Sequence, residues 1–253
     1  MSAVVHLGID LAWSHRNRTG VAALDDDGIL VASASVRTDD EIAAFVGTHA
    51  RGAVVVAALD APLVVPNATG QRPCEAQVTR EFRAFHAGCH PANRSWPWFD
   101  PPRAEVLARR FGWDVDPATP PARNTSVAVE VYPHPAMVTL FDLDTVIPYK
   151  QRGPRRDVPH LRVALGELLT QMEQHCEEPL RLGASPRWAA LRRAVATATR
   201  KVDLRIVEDE VDAIFCAYLA WRWAGRATTG DPWLRVVGDA AAGYIVVPAP
   251  PAR

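Results

Sequence analysis

Two almost wholly apolar runs, each closing on an aspartate, constrain this chain more than any other feature. Val4 to Leu11 reads VVHLGIDL, and Ala53 to Asp60 reads AVVVAALD. Runs without polar alternation are strands buried on both faces, and such strands need helices on either side of their sheet. An aspartate at the end of one stands where its charge is costly unless it is paired or binds a cation. Taken alone, Asp10 or Asp60 is more often a turn former or a helix cap, so neither defines a site without partners.

The pattern around these runs orders the rest. Thr19 to Leu24 is a short apolar run, and Ile29 to Val36 is a further strand. Between them Asp25-Asp26-Asp27-Gly28 is a hairpin turn, with Asp-Gly supplying the required backbone geometry. Thr38 precedes Asp39, Asp40 and Glu41, an N-cap with a capping-box partner, and predicts a helix to about Ala50. Strand, strand, strand, helix, strand is the order of a mixed sheet with helices packed on it.

Pro62 to Pro121 is rich in Pro, Trp, Arg and Asn and weakly periodic. It reads as an insertion with short helices around Cys74 to Phe85 and Arg103 to Phe111. Irregular stretches of this length are functional or disordered, and the aromatic residues argue against disorder. Strand character returns over Ser126 to Tyr132. Helices are expected over Asp157 to Glu173, Arg187 to Thr199 and Glu208 to Trp223, then a strand over Tyr244 to Val247 and a Pro-rich tail. The expectation is a single α/β domain over residues 1–253 with an insertion at about 62–121.

Composition narrows the classes. Hydrophobic residues make up 48% and charged ones 23%, an ordinary globular balance. Lys and Arg number 28 against 29 Asp and Glu, so contact with nucleic acid has to come from local basic patches. Cys74, Cys89, Cys176 and Cys216 form no CxxC pair and read as reduced thiols. No stretch is long and apolar enough to span a membrane, and the first residues lack a signal-peptide pattern. The expected compartment is the cytoplasm, and no feature sets an oligomeric state.

Further acids join the two aspartates. Glu130 lies in the strand VEVYP, and Asp209 and Asp212 open the helix EDEVDAIFCAYLA, spaced to share a face. Each has a plainer explanation: Glu208, Asp209 and Glu210 complement a helix dipole, and Glu130 faces solvent. Jointly, carboxylates gathered in one place repel, and a hard cation such as Mg2+ or Mn2+ relieves the repulsion.

These residues resemble a known family. Gly8-Ile9-Asp10 with Trp13 and Thr19-Gly20, Asp60-Ala61-Pro62, and Pro66-Asn67 through Arg72-Pro73-Cys74-Glu75 carry the first half of the likeness. Glu130-Val131-Tyr132-Pro133-His134, Tyr149-Lys150, and Asp209 through Asp212-Ala213 into Tyr218 carry the second. Together they are similar to the predicted ribonuclease H-like nucleases grouped as domain of unknown function 429. The resemblance implies a ribonuclease H-like core with a mixed five-stranded sheet. It implies that Asp10, Asp60, Asp209 and Asp212 are catalytic and hold two divalent ions, Mg2+ or Mn2+. Glu130 is an additional ligand or a structural acid. The implied activity is two-metal phosphodiester hydrolysis of nucleic acid, DNA or RNA.

Other residues carry two readings each. Lys150, followed by Arg152, Arg155 and Arg156, reads equally as a phosphate contact and as part of a solvated loop. Arg72 and Glu75 orient a substrate or form a local ion pair. Arg94-Ser95-Trp96-Pro97-Trp98-Phe99 stacks on unpaired bases or, more often for such clusters, packs a loop. His86, Cys89 and His90 fit no standard zinc spacing. His134 assists proton transfer or is a satisfied structural histidine. Two rival functions stand beside the nuclease: an enzyme handling a nucleotide or small phosphorylated ligand on the same topology, as in the actin and sugar-kinase superfamily, and a non-catalytic binding module.

Overall fold

The computed structural model describes residues 3–14, 16–121, 124–150, 157–229 and 232–252. Arg152, Arg155 and Arg156 of the expected basic loop lie outside the described residues. Strands β1 (Val4–Asp10), β2 (Thr19–Leu24) and β3 (Leu30–Val36) form an antiparallel meander. The β2–β3 turn closes as its residues dictate: Gly28 has φ +84°, and Asp25 accepts the Ile29 N–H at 2.9 Å. Helix α1 (Asp39–His49) carries the full capping box, with Thr38 Oγ1 accepting from Glu41 N and Glu41 Oε2 accepting from Thr38 N. It leads to β4 (Val54–Leu59), which runs parallel beside β1.

Helices α2 (Pro73–Phe82) and α3 (Arg103–Phe111) follow, then β5 (Val127–Glu130), parallel to β4. The sheet is mixed and five-stranded, in the order β3-β2-β1-β4-β5. The chain continues through α4 (Pro133–Leu140), α5 (Val158–His175), the short α6 (Glu177–Leu180), α7 (Pro186–Thr197) and α8 (Lys201–Thr229). It ends in an antiparallel hairpin of β6 (Leu234–Asp239) and β7 (Gly243–Pro248).

Both faces of the sheet are covered, as its unbroken apolar strands require. On one face α4, α5, α7 and α8 build the larger core. On the other, Ile42 of α1 packs with Ala104, Leu107 and Ala108 of α3 and with Trp113. The weakly periodic stretch between β4 and β5 thus contributes core residues as well as loops.

Helix α8 differs most from expectation. It begins at Lys201 rather than Glu208, because Leu204 and Val207 continue the buried stripe of Val211 and Ile214 by a further two turns. Asp209 and Asp212 therefore lie well inside the helix, where the dipole explanation for Glu208, Asp209 and Glu210 fails. Helix α4, the short α6 and strand β6 were also illegible. Helix α4 carries Pro133 and Pro135 in its first turn, where a missing N–H costs nothing. Strand β6 is only partly buried and closes through a polar turn in which Asp239 Oδ1 accepts from Ala241 and Ala242.

A candidate acidic active-site cleft

The sheet register sets the first three acids. Ile9 pairs with Leu59 and Leu59 with Glu130, so Asp10, Asp60 and Glu130 lie at the carboxyl ends of three adjacent parallel strands. Asp60 N–H donates to the Ile9 carbonyl at 2.9 Å. In open α/β sheets this edge is where ligands bind.

Helix α8 supplies the rest by lying unusually close to the sheet. A Cβ on Gly8 would stand 2.0 Å from the Ala213 carbonyl oxygen, and one on Gly20 would stand 1.7 Å from that of Asp209. The two glycines thus admit the helix backbone against β1 and β2 at the level of the acids. Glu208 and Asp212 are four residues apart and meet one cation, Lys150. Its Nζ pairs with Asp212 Oδ2 and lies 3.6 Å from Glu208 Oε1. Tyr149 O–H donates to Asp212 Oδ1 at 2.8 Å. Asp209 lines the open cleft, and its Oδ2 is buried without a hydrogen-bond partner. Glu210 points elsewhere: fully buried, it pairs with Arg187 at 2.5 Å and accepts from Ser33.

The cleft has a volume of about 790 Å³, with Asp10, Asp60, Glu208 and Asp209 among its lining residues. Burial pushes the Asp10 carboxyl up to about 7; Asp212 adds to the shift and Lys150 opposes it. Burial and the Asp10 charge raise Asp60 well above the carboxylate range. Burial raises Glu208 to about 7 and, with Asp10 and Glu208 beside it, Asp209 to about 8. Although burial disfavours the Lys150 ammonium, Asp212, Tyr149 and Asp10 hold it charged well above its ordinary range. Near neutral pH the apo cleft therefore retains protons on acids that would be ionised in water. Among the described residues, no three His, Cys, Asp or Glu side chains are drawn together tightly enough to hold one ion.

The remaining candidates fall around this floor. Glu130 is buried and its carboxylate is engaged: Arg72 donates to both oxygens at 2.8 and 2.5 Å, and Leu63 N–H donates at 3.0 Å. Arg72 also bonds Glu75 through Nε at 3.0 Å, so the three form one ion-paired group at the back of the cleft. His134 lines the cleft with its ring 5.8 Å from those of Tyr132 and Tyr149. His86, Cys89 and His90 line it too. Sequence reasoning passed over Glu208 and Tyr149 as site residues. The i, i+4 spacing of Glu208 and Asp212 was the available signal.

Fold and cleft together define an α/β protein with an acidic site at the carboxyl edge of parallel strands. A family model described as "Protein of unknown function (DUF429)" matches residues 8–233, and the chain belongs to that family. No curated protein and no solved structure matches the chain.

Proposed function

We propose that this protein is a divalent-metal-dependent nuclease with a ribonuclease H-like core. The observation that carries the reading is the sharing of one open cleft by Asp10, Asp60 and Asp209, with raised proton affinities and one buried oxygen unpartnered. Acids at the ends of the first and fourth strands and on the last long helix are also the arrangement that the resemblance implies.

The donor chemistry fits Mg2+ or Mn2+. All three groups offer oxygen, and each holds a proton that a hard cation would displace. Asp10, Asp60 and Asp209 are the residues that would hold the ion. Asp212 is engaged by Lys150 and Tyr149. A bound divalent ion would supply charge neutralisation at the phosphate and an activated water. Lys150, held protonated chiefly by Asp212, would be the cation that meets a phosphate oxygen. Glu130, Arg72 and Glu75 support the cleft wall from behind.

The test is in two parts. At a hundredfold excess over its Kd, Mn2+ stabilises the folded state by about 2.7 kcal/mol, a rise in melting temperature of roughly 5–10 °C. Asp10→Asn is expected to abolish that rise. Hydrolysis of single-stranded, duplex and branched DNA and RNA is assayed with Mg2+ or Mn2+. Cleavage that survives Asp10→Asn sinks the assignment, as does the absence of any cation effect on melting.

A further inference from the structure

Three tryptophans are exposed together beside the acidic cleft. Trp13, Trp96 and Trp98 are 38%, 46% and 36% exposed, whereas Trp113, Trp188 and Trp223 are buried. They form a continuous run of rings. Trp13 meets Phe99 at 5.2 Å, Trp98 meets Phe99 at 6.4 Å, and Trp96 stacks on Trp98 at 5.0 Å. Trp13 and Trp98 also line the cleft itself. Grouped exposed aromatics forgo burial, and such patches mark binding sites.

The loops that carry these rings are held from below. Arg103 Nη1 donates to the Ala12 carbonyl at 2.7 Å, one residue before Trp13. Arg94 Nε donates to the Val65 carbonyl at 2.8 Å, and Asn67 Nδ2 to the Ala92 carbonyl at 3.1 Å. Ala92 N–H donates to Glu75 Oε1 at 3.0 Å, which ties the tryptophan loop to the Arg72–Glu130 group. A ligand meets rings already in position and loses little loop entropy on binding.

Arg18 and Arg205 line the same cleft. One site thus offers aromatic faces, guanidinium groups suited to phosphate, and an acidic floor. A duplex keeps its base faces stacked inside and offers the rings none. A neutral sugar chain can lie on tryptophan but has no anion for the arginines. Unpaired nucleotides satisfy all three surfaces. Resting on the nuclease reading above, we propose that Trp13 and Trp98 form a stacking clamp for an unpaired base, making single-stranded nucleic acid the substrate class.

The test measures binding apart from cleavage. Fluorescence anisotropy compares a labelled oligothymidylate, the same backbone with abasic spacers, and a duplex hairpin, with Ca2+ replacing Mg2+. Oligothymidylate is expected to bind tightest. Trp13→Ala and Trp98→Ala should each weaken it by about fivefold or more and leave abasic binding unchanged. Trp98→Phe should restore most of the loss; because each ring is partly packed on Phe99, binding is compared at a temperature where circular dichroism shows every variant folded. Equal binding of abasic and thymidine strands, preference for the duplex, or indifference to both alanine variants overturns the clamp. Tryptophan-dependent binding of a neutral oligosaccharide without oligothymidylate binding overturns it too. If the binding pattern holds but nothing is cut with Mn2+, the nuclease chemistry fails and the clamp stands. If strands are cut but the alanine variants bind normally, the clamp alone fails.

Discussion

Arg72 stands between two buried carboxylates, Glu75 and Glu130, and is itself only 1% exposed. Burial works against its charge, but Glu130 and Glu75 hold the guanidinium protonated above its ordinary range. Removing one partner of such a group leaves uncompensated charge in the interior. Arg72→Met is therefore expected to destabilise the fold by about 3–5 kcal/mol, read by denaturant unfolding. A loss below 1 kcal/mol would show that the two acids are solvated or protonated without it. Asp10 and Asp60 differ in kind. They face an open cleft and, among the described residues, pair with no arginine, so Asp10→Asn should leave the apo fold as stable as before, or more so.

At the scale of elements, α8 and the strands beneath it decide where the acids meet. Gly20 lets the helix backbone sit against β2 beside Asp209, in a space no methyl group can share. Gly20→Ala must push the helix away, at a cost of about 3 kcal/mol or more if the core cannot relax. Circular dichroism melts would report the loss, and any surviving Mn2+ stabilisation should be weaker because Asp209 moves with the helix. Unchanged stability and metal response would mean that the close approach is not needed. Elements set by local chemistry were legible: the Asp25–Gly28 turn and the Thr38–Glu41 capping box fell where their residues predicted. The start of α8 was not, since tertiary packing of Leu204 and Val207, rather than a capping signal, extends it to Lys201.

For the whole molecule the cleft makes stability depend on pH. Asp10, Glu208 and Asp209 hold protons up to about 7, 7 and 8 in the folded state. In the unfolded chain such carboxyls ionise near pH 4. The folded state binds more protons across that interval, so apo stability falls as pH rises from about 4 to about 8. The melting temperature of the metal-free protein should decline over this range, and Mn2+ should restore more of it at pH 8 than at pH 6. A flat apo profile would show that these acids do not share a desolvated site. The same experiment on Asp209→Asn should show a shallower decline.

Much of this protein is written locally. The apolar strands, the turn and the capping box follow from short-range pattern, because hydrophobic periodicity, turn geometry and capping bonds involve residues close together in the chain. The pairing of Asp10 with Asp60 was nearly legible too, since both close buried runs that had to lie in one sheet. What only the tertiary structure decided is the division of labour among the acids. Register gave Glu130 to Arg72, helix geometry gave Glu210 to Arg187, and the approach of α8 at Gly8 and Gly20 set Glu208, Asp209 and Asp212 over Asp10 and Asp60. Those choices depend on contacts between residues 23 to 205 positions apart, and no local pattern encodes which carboxylate finds a cation in the fold and which is left facing the cleft.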